Sequence, residues 1–201
     1  MSRLSYLAAL LLVAPSLSLA WYTANTTLTL AQVVGDPQCA SNETAFHALN
    51  EIHIDQTPSA VWELVGDFQN LTWQGATNIT VSGTQNAPNN THTQQTSSGA
   101  ATEELRTYLG PSSSPANPSQ SVYFMQFFLQ PLPGGLSGVT FDNVEDLLLA
   151  VKDGNGTKLT WETSGCSNTS TAAATLFSQL HQHNLNQTVI IFNGGQPTPA
   201  T

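Results

Sequence analysis

The spacing of hydrophobic and polar positions predicts a series of β-strands followed by one long helix. Residues 45–55 alternate apolar and polar side chains, which is the period of a half-buried strand, and Asn50 alone interrupts them. The strongest strand pattern covers 121–130, and the Asp-Gly-Asn-Gly run at 153–156 is typical of a hairpin turn. The helical pattern occupies 170–192. Further strand patterns, some of them weak, lie at 27–34, 77–82, 91–96, 102–109, 139–153 and 157–163.

Residues 57–75 follow the first strand, carry two tryptophans and predict two short helices. The Thr-Pro pair at the start of this segment is typical of a helix N-terminus, an apolar stripe at helical spacing follows it, and Gly66 is a candidate left-handed stop. We interpret Asp67 as the cap of a second short helix at 68–73 rather than as a catalytic group. Each helix should turn one tryptophan, Trp62 or Trp73, toward the interior.

The first twenty residues have the pattern of a secretory signal peptide. A basic residue, Arg3, precedes an apolar run at 7–14, and Ser-Leu-Ala ends the segment in the small-x-small form of a cleavage site. The run is too short to span a membrane, which takes about 20 apolar residues. We therefore expect a signal peptide at 1–20, an N-terminal extension at 21–44, one domain at 45–192 and a polar tail at 193–201, with no transmembrane segment in the mature chain.

Charge limits the class of partner. The chain has 4 basic and 13 acidic side chains, and removal of the signal peptide takes one of the basic residues with it. A negative field repels phosphate backbones and anionic membrane surfaces, so a nucleic-acid partner is not expected. No cofactor motif occurs, and His181 and His183 lie about 200° apart on a helix, which prevents joint binding of a metal. We expect a monomer without metal or cofactor.

Two residue types bear on export. Asparagine in Asn-x-Ser/Thr triplets predicts N-linked glycosylation, whereas Asn117 is excluded by the proline that follows it. The two cysteines should pair in an oxidising compartment, with two free buried thiols as the alternative. The candidate glycan acceptors are Asn25, Asn42, Asn70, Asn78, Asn89, Asn155, Asn168 and Asn186.

The order of elements and several short motifs resemble the START-like helix-grip superfamily, which holds polyketide cyclase/dehydrase-type, pollen-allergen-like and lipid-transfer proteins. The likeness covers about residues 45–190. It implies an α+β fold in which a curved antiparallel sheet of about seven strands wraps around a long C-terminal helix, with two short helices after the first strand. The residues that carry it are Thr57-Pro58, Val61-Trp62, Asp67-Phe68, Leu71, Trp73, Glu104-Leu105, Pro131-Leu132-Pro133 and Leu159-Thr160-Trp161.

The resemblance also implies a disulfide and an internal apolar cavity. If the first and last strands pair antiparallel, Cys39 before the first lies close to Cys166 after the last. A glycan on Asn78 would orient Ile79 and Val81 inward. A glycan on Asn186 would orient the opposite side of the long helix inward. On the fifth strand one of two alternating sets faces the interior, either Tyr123, Met125, Phe127 and Leu129 or Val122, Phe124, Gln126 and Phe128. We favour the first set, called the Tyr123 set, because exposing Gln126 to solvent costs less free energy than burying it. The expected ligand-binding residues are Tyr123, Met125, Phe127, Leu129, Trp161, Ala173, Phe177, Leu180, His181 and Asn184.

Three functions remain open at this stage. The first is a secreted glycoprotein that binds a small hydrophobic ligand such as a lipid, a sterol or an aromatic metabolite. The second is a cyclase- or dehydratase-like enzyme acting on a similar molecule, with His181, Tyr123 and Arg106 as weak catalytic candidates. Arg106 could instead pair with Glu104 or be a surface charge. The third is a secreted interaction protein whose interior is closed by core side chains.

Overall fold

The computed structural model describes residues 37–96, 99–111 and 119–200. The predicted signal peptide, the strand predicted at 27–34 and the candidate acceptor Asn25 lie outside these ranges. The described chain forms seven β-strands and two α-helices, together with one short 3-10 turn at Thr72–Gln74. The strands are β1 (Thr44–Ile54), β2 (Ile79–Ser82), β3 (Thr91–Thr96), β4 (Gly99–Leu109), β5 (Val122–Leu129), β6 (Asp142–Asp153) and β7 (Gly156–Ser167), and the helices are α1 (Pro58–Val65) and α2 (Ser170–Phe192).

All seven strands belong to one antiparallel sheet in the order β1-β7-β6-β5-β4-β3-β2. The first strand therefore pairs with the last, and the predicted α+β fold with a curved sheet and a long C-terminal helix is confirmed. The hairpin predicted at 153–156 joins β6 to β7 through a tight turn, in which Gly154 has the positive φ that such turns require.

Helix α1 begins as the sequence predicts but ends for a different reason. Thr57 Oγ1 accepts a hydrogen bond from Ala60 N at 3.3 Å. Pro58 occupies the first turn, where its missing N–H costs nothing. Gly66 follows the helix with a φ of −84°, so the left-handed stop is wrong. A β-carbon at Gly66 would clash with the Trp62 indole, which makes this glycine a requirement of the tryptophan ring.

The predicted second helix at 68–73 is also wrong, since only Thr72–Gln74 form a short 3-10 turn. The backbone of Phe68 makes its hydrogen bonds to distant side chains: its N–H donates to Asn86 Oδ1 at 3.0 Å and its carbonyl contacts His92 Nδ1 at 2.7 Å. Asp67 accepts from Gln69 N at 3.1 Å within this loop instead of capping a helix. Tertiary contacts replace the helical hydrogen bonds here.

The inward orientation predicted for the second strand is wrong as well. Val81 is 47% exposed and Ile79 is only half-buried. The strand β2 forms the edge of the sheet, and helix α2 lies against β1 and β7 at the other side. At this edge position none of the four side chains of β2 is fully buried.

The long helix buries one stripe against the sheet. Ala173, Phe177, His181 and Asn184 are buried at helical spacing. Phe177 stacks on Phe46 of β1 with ring centroids 5.3 Å apart. Leu180 is only half-buried and belongs to neither cluster of packed hydrophobic residues, so its inward placement is wrong. It lies about 100° around the helix from its neighbour His181, at the edge of the stripe.

A disulfide links the segment before β1 to the end of β7, as predicted. Cys39 and Cys166 are bonded with their Cα atoms 5.4 Å apart and 127 positions apart in the chain. In the β1–β7 ladder Cys166 pairs with Ala45, so the antiparallel register itself brings the two cysteines together.

Candidate ligand site between the sheet and the long helix

The inner face of β5 carries the set of side chains that the sequence favoured. Tyr123, Met125, Phe127 and Leu129 are buried, whereas the alternate residues of this strand are half-buried on the other face. The first three join a tryptophan cluster that also contains Trp62, Phe68, Trp73 and Trp161. Leu129 belongs to a separate phenylalanine cluster formed around Phe46, Phe141, Ala173 and Phe177.

The aromatic rings of the tryptophan cluster contact one another. Trp62 stacks on Tyr123 at 5.5 Å, and Phe127 lies between Phe68 at 5.5 Å and Trp161 at 6.1 Å, measured between ring centroids. Such offset and edge-to-face pairs are favourable packing geometries. The side chains expected to surround a cavity thus fill much of the interior themselves.

A buried polar cluster interrupts this apolar interior. Its members are Asp146 on β6, Trp161 and Thr163 on β7, and His181 on helix α2. Asp146 Oδ1 accepts from Trp161 Nε1 at 2.9 Å and from the Thr163 hydroxyl, while Thr163 Oγ1 lies 3.0 Å from His181 Nδ1. The Trp161 and His181 rings stack at 4.2 Å. Register explains the grouping, because Asp146 pairs with Phe127 on one side and with Thr163 on the other.

The hydrogen-bond pattern of this cluster determines where its protons lie. The single hydroxyl hydrogen of Thr163 is donated to Asp146, so His181 Nδ1 must donate to Thr163. His181 Nε2 lies 3.6 Å from Asp146 Oδ1. Burial raises the pKa of Asp146 to about 8, with the charge of Glu103 as a smaller cause, and burial lowers the pKa of His181 to about 3. Both groups are therefore uncharged around neutral pH.

A second histidine–carboxylate pair lies further along the inner face, on β3 and β4. His92 Nε2 is 2.7 Å from Glu103 Oε2, and His92 is buried, whereas Glu103 is partly exposed. His92 Nδ1 contacts the Phe68 carbonyl and therefore carries a hydrogen. The other ring nitrogen, Nε2, is the one that faces the Glu103 carboxylate. The inner face thus carries two such pairs.

Two buried polar atoms of this interior have no hydrogen-bond partner among the described residues, namely Trp73 Nε1 and Asn50 Oδ1. The Trp73 ring lies 6.0 Å from that of Trp161. Asn50 uses its amide nitrogen for Ser178 Oγ and Gln182 Oε1 on the long helix, each at 3.2 Å. Buried polar groups are normally satisfied, so Trp73 Nε1 is an unusual unused donor and Asn50 Oδ1 an unusual unused acceptor.

The three catalytic candidates from the sequence do not form one site. His181 belongs to the buried polar cluster, and Tyr123 stacks on Trp62 within the tryptophan cluster. Arg106 lies on the other face of the sheet, where Nη1 contacts Glu104 Oε1 at 2.8 Å and the guanidinium lies over the Phe128 ring. Arg106 is thus exposed and paired, as one of the sequence alternatives states.

Sequence reasoning missed Asp146, Thr163, His92 and Glu103. One signal was present, because Asp146 is in phase with Val144 and Leu148 on β6. However, residues 147–151 of β6 are all apolar, so both faces of the strand carry apolar side chains there. Alternation therefore did not show which face is inward.

Two residues that the sequence did select on the long helix lie on its buried stripe. Ala173 is fully buried, and Asn184 is buried as well. Asn184 Nδ2 donates to Gln74 Oε1 at 3.1 Å, which ties the helix to the 3-10 turn after α1. Both therefore line the sheet-facing side of the helix, as expected.

The candidate glycan acceptors share one property in the described part of the chain. Seven of them lie in the described ranges, and all seven are exposed, whereas four of the six other described asparagines are buried. Burial is thus confined to asparagines outside the triplets among the described residues. The seven are Asn42, Asn70, Asn78, Asn89, Asn155, Asn168 and Asn186.

No protein-family profile and no curated protein matches the sequence. Solved structures do match: a Thermobifida fusca protein is 15% identical, with 77% of this chain and 97% of that chain covered at a TM-score of 0.58. A Nitrosospira multiformis protein is 16% identical, with 71% of this chain and 92% of that chain covered at a TM-score of 0.57. A Bacillus cereus protein is 15% identical, with 71% of this chain and 92% of that chain covered at a TM-score of 0.51. These likenesses show an antiparallel sheet with a C-terminal helix, which is compatible with a helix-grip arrangement. Neither helix in the described ranges is long and apolar enough to cross a membrane.

Proposed function

We propose that this chain is a secreted, glycosylated member of the START-like helix-grip superfamily that binds a small hydrophobic molecule between the sheet and helix α2. The observation that carries the proposal is the Asp146–Thr163–His181 cluster, which places polar groups inside an aromatic interior. Buried ionisable groups generally add no stability to a folded core compared with apolar residues of similar volume. Their presence among aromatic rings is typical of a ligand site, where a few polar groups orient a mostly apolar molecule.

Two features support export. Disulfides persist in oxidising compartments, and the Cys39–Cys166 bond closes most of the domain into one loop. The exposure of all seven described acceptor asparagines is what N-linked glycosylation requires, because the oligosaccharide has to face solvent. The buried asparagines, among them Asn50 and Asn90, lie outside such triplets.

The chemistry of the interior defines the ligand class. Aromatic rings and Met125 offer adaptable apolar contacts, and Met side chains in particular accommodate irregular shapes. The unpaired Trp73 Nε1 supplies a donor, and a protonated Asp146 supplies another. We therefore expect an uncharged molecule with one or two oxygen acceptors, such as a sterol, a fatty alcohol or an aromatic ketone, rather than an anionic lipid.

The test is native mass spectrometry of the secreted protein, followed by binding of a fluorescent apolar probe. We expect a co-purified small molecule or saturable probe uptake. Ala173→Trp, at a fully buried position, should abolish uptake by filling space next to Phe177, while Ala172→Trp at the neighbouring exposed position should not. Overpacking costs about 1–3 kcal/mol, so thermal unfolding of both variants checks that each remains folded.

A second function is favoured by the proton arrangement of the polar cluster. A carboxyl and an imidazole with shifted pKa values, joined through one hydroxyl, form a pair able to donate and accept a proton. A cyclase- or dehydratase-like enzyme would use such a pair. Asp146→Asn removes the exchangeable proton and keeps the shape, so unchanged binding together with loss of ligand turnover would favour the enzyme over the carrier.

The third function makes the opposite prediction. If the wild-type protein neither co-purifies with a small molecule nor takes up any apolar probe, both ligand-based functions fail. The closed interior would then be structural, and an interaction protein that acts through its surface would be the better account.

A further inference from the structure

An open groove lies at the start of helix α2, away from the interior site. It has a volume of about 680 Å³. This is as large as many sites that hold a small molecule. One wall is the tight turn of residues 136–139, and the other is formed by the first turns of the helix. The lining residues are Ser137, Val139, Asn168, Thr169, Ser170, Thr171, Ala172, Thr175, Leu176 and Gln179.

One of the candidate glycan acceptors forms part of this wall. Asn168 is exposed, and its Oδ1 accepts a hydrogen bond from Thr140 Oγ1 at 3.3 Å. Its neighbour Ser167 is fully buried and donates to the Thr140 carbonyl at 2.7 Å, so the backbone beside the acceptor is held in place. An oligosaccharide attached to Asn168 Nδ2 would therefore leave the protein beside the groove.

The lining matches the two kinds of surface that an N-acetylhexosamine presents. Val139 and Leu176 pack against the phenylalanine cluster, and they offer an apolar floor for a sugar ring face or an acetyl methyl. Thr171, Thr175 and Gln179 offer hydrogen-bonding groups for the hydroxyls along the helix side. Apolar and polar groups thus alternate across a space that opens to solvent.

We propose that the first sugars of an N-linked glycan on Asn168 lie in this groove and join the 136–139 turn to helix α2. Covalent attachment gives the sugar a high effective concentration at the groove, so even weak contacts would be populated. The inference rests on the export and glycosylation proposed above. Among the described acceptors Asn155 makes a useful contrast, because it lies in the exposed turn between β6 and β7.

The experiment uses protein secreted by a glycosylating eukaryotic host. Peptide mass mapping gives the occupancy of each acceptor, and hydrogen–deuterium exchange follows the amides of residues 136–140. Ser170→Ala is the main variant, because it removes the hydroxyl of the acceptor triplet and keeps Asn168 with its bond to Thr140. Asn155→Gln is the control, since it removes a glycan far from the groove.

We expect Asn168 to be occupied and the amides of 136–140 to exchange several-fold faster in Ser170→Ala than in wild type, with no change in Asn155→Gln. Occupancy without any difference in exchange would overturn the groove contact. An empty Asn168 beside occupied acceptors elsewhere would overturn this inference and leave the glycoprotein proposal standing. If no acceptor is occupied, both fail. Enzymatic removal of the glycans from folded wild type should reproduce the Ser170→Ala exchange.

Discussion

The two ends of the strand order, called here the helix-covered side (β1, β7 and β6) and the polar side (β2 and β3), are stabilised in different ways. On one side β1, β7 and β6 are 11 to 12 residues long, and helix α2 packs against β1 and β7. On the other side β2 and β3 have 4 and 6 residues, and their sequences, ITVS and THTQQT, are mostly polar. One sheet thus combines a side that is held by hydrophobic burial with a side that has little to bury.

The polar side is held by specific side-chain contacts. His92 on β3 bonds to the Phe68 carbonyl and to Glu103, and Thr93 Oγ1 lies 2.8 Å from Thr102 Oγ1 across the β3–β4 pair. Directed hydrogen bonds give less stabilisation than the burial of large aromatic side chains. Because burial is the stronger of the two effects, the helix-covered side should unfold only globally, whereas the β2–β3 side can open locally.

The largest effect is expected in the hydrophobic interior, from Trp62→Ala on helix α1. Trp62 is buried, stacks on Tyr123 and donates from Nε1 to the Tyr108 hydroxyl at 3.1 Å. Deletion of such a side chain should cost about 3–5 kcal/mol of unfolding free energy. Chemical denaturation measures it, and an unchanged midpoint would contradict the placement of the ring in the core.

Loss of the disulfide should come next. The double variant Cys39→Ser/Cys166→Ser opens a loop of 127 positions. We expect a loss of about 2–4 kcal/mol, because the cross-link mainly restricts the unfolded chain. Thermal unfolding of wild type with and without reductant gives the same comparison without mutation. Equal stability in both conditions would show that the bond does not form in the protein.

On the polar side, His92→Gln should cost about 1–3 kcal/mol, since it removes the buried contact with Glu103 and weakens the bond to Phe68. His53→Gln is the matched control, because His53 is paired with carboxylates in an exposed position. The distinguishing measurement is hydrogen exchange: β3 amides should lose protection and β7 amides should keep it. A uniform loss of protection over the whole sheet would contradict local opening.

The polar cluster predicts a dependence of stability on pH. The pKa of Asp146 is about 8 in the folded protein against about 3.9 in an unfolded chain, so between these values the folded state binds the extra proton and stability falls as pH rises. His181, with its pKa lowered to about 3, acts oppositely up to about pH 6.5. The net fall should thus appear from about pH 6.5 to 8 and amount to at most about 2 kcal/mol.

The variant that isolates this effect is Asp146→Asn, which has no carboxyl proton to lose. As pH rises from about 6.5 to 8, the free energy of unfolding of wild type should fall relative to that of this variant. Parallel pH profiles for the two proteins would mean that Asp146 does not titrate there.

The smallest effect is expected at the edge strand. Val81→Thr replaces an exposed side chain on β2 with a polar one of similar shape. Surface substitutions of this kind usually change stability by no more than about 0.5 kcal/mol. A much larger loss in chemical denaturation would show that β2 is covered in solution.

Local sequence signals are enough to predict several elements of this protein. Alternation at 45–55, the Asp-Gly-Asn-Gly turn and the helical spacing at 170–192 act over a few residues, and β1, the hairpin and α2 formed there. The choice of the Tyr123 face also followed from local chemistry, since a glutamine is cheaper to expose than an aromatic ring. The disulfide was predictable because its partners lie at the ends of two strands whose pairing the resemblance implied.

Other features depend on contacts between residues that are distant in the chain, and local patterns do not predict them. The segment 68–71 is a loop because the side chains of Asn86 and His92 bond to its backbone, which local helix signals do not record. Val81 is exposed because its strand is at the edge of the sheet. Asp146 and His181 meet at Thr163 because three separate elements cross at one point, and the environment that keeps both ionisable groups uncharged exists only after they are buried together.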